Sequence, residues 1–227
     1  MIKPIQHFID DCRRWTIALG AMVFFYIVFR LSAIYEFSFG WYLLSIPLIY
    51  YIFIVLDRVL IYALYRFSGL RKMILGKNWI EGDWIEVLYD KGKMDSIAIL
   101  QIVYEKQGSY TLKGESYTLT GEYRGSFVTP NTTYHEDERA LRYSYSGKLK
   151  EALIAGTGVL EFKIKENEKV AEIFEGHLLD NFHTKGATFK AEKIDDYTKI
   201  DSLRSKKDFM REYISKQILH KKEKVNY

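Results

Sequence analysis

The stretch Tyr110–Thr129, YTLKGESYTLTGEYRGSFVT, decides the fold. Tyr110 with Leu112, Tyr117 with Leu119 and Tyr123 with Phe127 each keep a spacing of two or four, the period of a β-strand. Thr111, Thr118, Thr120, Arg124 and Ser126 take the other positions. Gly114 and Gly121 punctuate the run, which reads as successive short strands joined by tight turns.

The same grammar extends both ways. Strands are predicted near Ile80–Tyr89, Ser96–Glu105, Ser109–Lys113, Ser116–Thr120, Glu122–Val128, Arg139–Tyr145, Gly158–Lys165, Ala171–Leu179 and Ala187–Lys193. Breaks are expected at Asp90-Lys91-Gly92-Lys93, Gln107-Gly108, Gly114, Gly121, Thr129–Asp137, Ser146-Gly147 and Glu166-Asn167. Eight or nine strands with hairpin-length links suggest an antiparallel meander. Closure into a barrel removes exposed edges, so a lipocalin-like barrel of about eight strands over residues 77–195 is the preferred fold. A sandwich is the alternative, but the Cys and Trp spacing of an immunoglobulin domain is absent. A barrel of eight strands can hold one small ligand.

Upstream, the pattern changes from alternation to apolar blocks. WTIALGAMVFFYIVF from Trp15 and FSFGWYLLSIPLIYYIFIVL from Phe37 carry no charge. Trp15–Tyr35 and Phe39–Val59 each reach the ~20 residues that a helix needs to cross a bilayer. Glu36, Phe37 and Ser38 leave room for a tight loop only, so the pair reads as a transmembrane hairpin behind a short N-terminal segment, residues 1–14. Lys3, Arg13 and Arg14 precede it, Arg66, Arg71, Lys72 and Lys77 follow it, and the loop has no Lys or Arg. The positive-inside rule places both termini and the barrel in the cytoplasm. Arg30, Asp57 and Arg58 lie within about two turns of a helix end and are read as snorkelling, with a polar seam between the helices as the alternative.

Downstream, Leu203, Phe209, Met210, Tyr213, Ile214, Ile218 and Leu219 follow helical spacing, which predicts an amphipathic helix over 200–222. Its lysines and arginines could face anionic headgroups; packing on the barrel is the bland alternative.

Charge divides by region. Residues 73–202 hold 17 basic and 22 acidic side chains, which argues against a bulk DNA or RNA binder. Cys12 is the lone cysteine, so no intramolecular disulfide forms. No P-loop, GxSxG, HExxH or CxxC occurs, and neither enzyme activity nor a cofactor is expected. His177 and His183, with Asp180 between them, make a weak metal pattern that lacks a third ligand.

What remains is a barrel that could receive a ligand. Aromatic rings stack on bases and Arg pairs with phosphate. Tyr117, Tyr123, Arg124, Ser126, Arg142, Tyr143 and Tyr145 are the candidate ligand-binding residues, with Thr129 and Asn181 as further hydrogen-bonding groups. The plain reading of the tyrosines is core, because aromatic residues favour strands generally.

The order of parts also carries a resemblance. A two-helix anchor is followed by WIEGDW (Trp79–Trp84), the hairpins SYTLKGESYTLTGEYRGSF, GVLEFKI (Gly158–Ile164), FEGHLLD (Phe174–Asp180) and a closing KGATFKAEKI (Lys185–Ile194). This layout resembles the SMODS-associated two-transmembrane β-barrel effectors of bacterial anti-phage (CBASS) defence. The Gly82-Asp83-Trp84 element is also similar to the structural Gly-x-Trp of lipocalins. The resemblance implies that a partner nucleotidyltransferase makes a cyclic di- or oligonucleotide on infection. The barrel binds it, the effector self-associates into a homo-oligomer, and its helices disrupt the inner membrane and stop growth. The alternative is an anchored, lipocalin-like carrier of a lipid or fatty acid.

Overall fold

The computed structural model describes residues 3–34, 39–105, 109–150, 152–166, 168–194, 208–213 and 215; the side chains at 3–4, 27–28, 31–34, 39–46 and 48–49 lie outside the described set. The chain divides into two compact units, Met1–Leu75 and Gly76–Tyr227.

The first unit is helical. α1 (Lys3–Ile34) and α2 (Phe39–Arg66) are followed by the short α3 (Ser68–Leu75). Arg71 of α3 is buried and its Nη1 donates to the carbonyls of Leu64 at 2.6 Å and Tyr65 at 2.7 Å. Those carbonyls lie in the last turn of α2, where no intrahelical N–H remains to meet them, and a cation is favoured there. Arg13 of α1 grips Asp57 of α2 with two hydrogen bonds, Nε at 2.6 Å and Nη2 at 2.9 Å. Asp57 was expected to snorkel alone; it is instead half of an interhelical ion pair, the seam alternative. Arg30 lies 5.8 Å over the ring of Tyr26, one turn back on its own helix. Among the described residues no helix is long and apolar enough to cross a membrane. The expected spans Trp15–Tyr35 and Phe39–Val59 run through 31–46, where no side chain is described.

The second unit is a closed barrel of eight antiparallel strands in sequence order, β1 pairing with β8. The strands are β1 (Gly82–Asp90), β2 (Lys93–Tyr104), β3 (Tyr110–Tyr117), β4 (Tyr123–His135), β5 (Ala140–Leu149), β6 (Ala152–Lys163), β7 (Ile173–Asp180) and β8 (Ala187–Ile194). A short 3₁₀ turn, Gly76–Asn78, precedes them. The β1–β2 hairpin turns on Lys91 and Gly92, both at positive φ, as a two-residue hairpin loop of the primed type requires.

The expected barrel of about eight strands is found; two of the nine predicted segments fall on one strand, and two expected breaks lie within strands. Ser109–Lys113 and Ser116–Thr120 are not two strands: β3 runs unbroken from Tyr110 through Gly114 to Tyr117, and the residues from Thr118 form the turn. Gly114 faces inward, and a Cβ there would lie 2.2 Å from the ring of Phe127. Gly114 gives space to an aromatic ring. The expected break at Thr129–Asp137 is also mostly strand: β4 runs to His135, and its pairing with β5 shifts between Val128 and Asn131, around Pro130. A bulge tolerates the missing proline N–H. β5 likewise continues through Ser146 and Gly147.

One end of the barrel interior is filled. Trp84, Phe162, Phe174 and Phe189 stack edge to face or tilted, at centroid distances of 5.0–6.0 Å. The Trp84 indole N–H donates to the Ile80 carbonyl at 3.2 Å, which satisfies its one polar atom. Leu100, Leu112, Leu141 and Leu160 complete this plug. Outside the barrel, Met210 of the helical segment at 208–213 is fully buried with Ile85, Val87, Ile97, Ile99 and Tyr117. The rest of the expected 200–222 helix lies outside the described residues, apart from Ser215.

Candidate functional site

Strand register sorts the polar residues into those that face the lumen and those that face out. On β1, Trp84, Glu86 and Leu88 share the inner face. Glu86 pairs across to Ala98 on β2 and to Ala191 on β8, two small neighbours that leave room beside the carboxyl. Beyond the aromatic plug this room opens as a cavity of about 60 Å³ toward the mouth of the barrel.

Glu86 is 6% exposed. No hydrogen bond or ion pair reaches its carboxyl among the described residues, and burial pushes its pKa up to about 8. Around it stand Tyr143 and Tyr145 of β5, whose rings lie 5.9 Å apart, and Phe127 of β4, 5.8 Å from Tyr145. Burial first, then the negative field of Glu86, holds the Tyr143 hydroxyl far above its ordinary range.

Asp180, at the end of β7, is the opposite case. Burial disfavours its ionisation, yet hydrogen bonds from the Tyr145 hydroxyl and from the His183 and Phe182 N–H groups outweigh this and lower its pKa. The Phe182 and His183 amides reach it at 2.8 and 2.6 Å, and the His183 ring at 3.0 Å. At the rim, Arg124 binds Asp95 at 2.9 Å. The cavity therefore holds one solvated-by-protein carboxylate, one closed ion pair and one carboxyl with nothing to bind.

A much larger opening lies elsewhere. A groove of about 900 Å³ lies on the outer wall across β2–β6. Lys113 of β3 and Lys148 of β5 project into it with Ser126 and Ser146, beside Glu115 and Asp83. Glu115 accepts from the Tyr117 hydroxyl at 2.5 Å and Asp83 from Gln101 at 3.2 Å, so both acids have donors. Neither lysine pairs with a carboxylate among the described residues.

The seven candidate residues do not converge. Tyr143, Tyr145 and Arg124 border the mouth cavity. Tyr117 points outward, buried under Met210, with its ring centroid 5.9 Å from that of the exposed Tyr123 in an edge-to-face contact. Ser126 lies in the outer groove. Arg142 is on the outer face of β5, paired with Glu138 at 3.3 Å, beside a smaller groove of about 480 Å³ that includes His177. Thr129 is committed to the Leu112 backbone, and Asn181 to Ala155 and Leu153. A ligand seat in the lumen was expected, and the room is not there: the cavity is well below the ~150 Å³ that admits a benzene ring. The reason is the aromatic plug, which spends the volume an eight-stranded barrel encloses.

Glu86, Lys113 and Lys148 were not singled out from sequence. A signal existed for Glu86, an acid at an inward position between Trp84 and Leu88. His177 faces out and His183 serves Asp180; among the described residues no group of three His, Cys, Asp or Glu could hold a metal ion. Comparison with family models, with curated proteins and with solved structures finds no match to this chain.

Proposed function

We propose that the protein is a membrane-anchored receptor for a small anionic messenger of the cyclic dinucleotide class, made by a partner nucleotidyltransferase. Ligand binding at the outer wall of the barrel promotes self-association of the anchor and disruption of the bacterial inner membrane, an anti-phage response. The barrel and both termini are cytoplasmic, and the protein carries out no chemistry of its own.

The observation that carries this reading is the outer groove of about 900 Å³ with Lys113 and Lys148 projecting into it. Two separate cations, with the Ser126 hydroxyl on the strand between them and Ser146 beside Lys148 on β5, suit a ligand with two phosphates. The exposed aromatic and aliphatic side chains of α1 and α2 support the anchor. Trp15, Met22, Phe25, Phe29 and Tyr50 are each at least two-thirds exposed. Large apolar side chains exposed in that number call for lipid or another helix. The lipid-carrier reading needs an apolar lumen of several hundred Å³, and the lumen here is small and lined in part by Glu86 and Asp180.

The test is thermal denaturation of the full chain in detergent with a panel of cyclic dinucleotides. At least one raises the melting temperature. Lys148→Glu together with Lys113→Glu abolishes the rise, and Arg142→Ala weakens it if the ligand reaches along the wall. A panel that gives no rise for the parent chain counts decisively against the reading.

A further inference from the structure

We propose that the mouth cavity of the barrel is a second binding site, for a small organic ammonium ion that pairs with Glu86 beneath the rings of Tyr143 and Tyr145. The groove on the outer wall plays no part in it.

Three observations meet here. First, Glu86 is 6% exposed and its side chain lines a cavity. A buried carboxyl without a hydrogen-bond donor is costly, and proteins normally satisfy it with a partner. Second, no other element supplies that partner. Ala98 and Ala191 flank it on β2 and β8. Tyr143 and Tyr145 face it from β5 and Asp180 from β7, with His183 bound to Asp180. Arg124, the one cation of fixed charge that lines the mouth among the described residues, is held by Asp95. Third, aromatic rings form one side of the wall, beside the aliphatic Leu88, Leu149, Ile154 and Leu178 and the hydroxyls of Ser96 and Ser116. Phe127, Tyr143 and Tyr145 form a row of rings whose neighbours are 5.8 and 5.9 Å apart.

An acid set against aromatic faces in a desolvated pocket recognises an organic cation: the carboxylate supplies charge and the rings supply cation–π attraction. Asp180 adds negative potential without offering a free lone pair, since Tyr145, Phe182 and His183 already use it. The volume of about 60 Å³ limits the guest to a head group such as methylammonium. A metal ion is the poorer occupant because the cavity lacks a third free ligand among the described residues. The rings also make phosphate unsuitable, because their faces are negative.

Binding carries a proton balance. Near neutral pH the empty site keeps Glu86 protonated, so entry of R–NH3⁺ releases that proton to solvent and leaves a carboxylate–ammonium pair. Isothermal titration of the full chain in detergent with methylammonium chloride, in two buffers of different ionisation enthalpy, reads this directly. The expected result is release of up to one proton per amine at about pH 7 and release falling toward zero above the folded-state pKa of about 8. Methylammonium raises the melting temperature, sodium chloride at equal ionic strength does not, and the bulkier tetraethylammonium does not. Glu86→Gln removes both the rise and the proton release. Equal shifts with sodium, heat without proton release, or a full response in Glu86→Gln would overturn the proposal and leave the cavity to water. The proton measurement on the parent chain stands even if the variant fails to fold. Lys113→Glu with Lys148→Glu leaves methylammonium binding intact, which separates this site from the outer groove.

Discussion

At the residue scale the barrel is governed by what a side chain meets inside. Glu86 and Asp180 are carboxyls in the same lumen with opposite behaviour. Asp180 collects donors and is held ionised; Glu86 collects none and is held protonated. The consequence for stability has a definite sign. An acid whose folded pKa is raised keeps its proton after the unfolded chain has lost it. Stability contributed by protonated Glu86 is therefore intact below about 4.5, falls as pH rises toward about 8, and levels off beyond. We expect Glu86→Gln to match the parent chain near the acid end of that window. By its alkaline end the variant should be the more stable, by a margin on the order of a few kcal/mol at most. Urea melts at several pH values check this, and a constant difference across the window would contradict it. Glycine supplies the complementary lesson. Gly125 lies so close to β5 that a Cβ would sit 1.9 Å from the Lys148 carbonyl oxygen. From sequence Gly125 is merely a residue between Arg124 and Ser126, because the obstacle belongs to a strand more than twenty positions away.

At the element scale, alternation was legible and strand ends were not. Trp84, Glu86 and Leu88 on one face of β1, with Ile85 and Val87 on the other, follow directly from the two-residue period. That both faces of β1 are buried is not readable locally. The inner face meets the aromatic plug, whereas the outer face is covered by the helical segment at 208–213. Met210 has no exposure and closes over Ile85, Val87, Ile97, Ile99 and Tyr117. Met210→Ala should destabilise the barrel by about 2–5 kcal/mol, the range for truncating a buried methionine. Equilibrium denaturation measures it. A loss below about 0.5 kcal/mol, the size of an ordinary surface substitution, would mean that the segment does not dock. The helical spacing of Phe209, Met210 and Tyr213 announced a helix with an apolar side. Whether that side met lipid or protein was left open by spacing alone, and for this part of the segment the answer is protein. Arg211 reinforces the docking through a hydrogen bond from Nε to the Thr120 carbonyl at 3.3 Å.

At the scale of the whole molecule, two compact units of different material follow one another along the chain. The anchor reading makes a simple prediction. After alkaline carbonate washing the full chain stays with the membrane pellet, and detergent releases it. A chain starting at Gly76, which keeps the closed barrel and its core, partitions to the supernatant. Recovery of the full chain in the carbonate supernatant would end the anchor reading. By itself the sequence determined the order of the parts and the meander of strands, because periodicity, turn residues and apolar length act locally. The two-residue spacing of Tyr143 and Tyr145 also puts them on one face of a strand. Only the tertiary structure decided how closure spends the interior. Trp84, Phe162, Phe174 and Phe189 come from four strands, and their rings meet only when β8 closes on β1. That meeting leaves the lumen too small for a nucleotide, strands Glu86 beside the remaining space, and leaves Lys113 and Lys148 on the outer wall. The physical reason is that a barrel's free volume is a sum over side chains distant in sequence, and no local pattern records it.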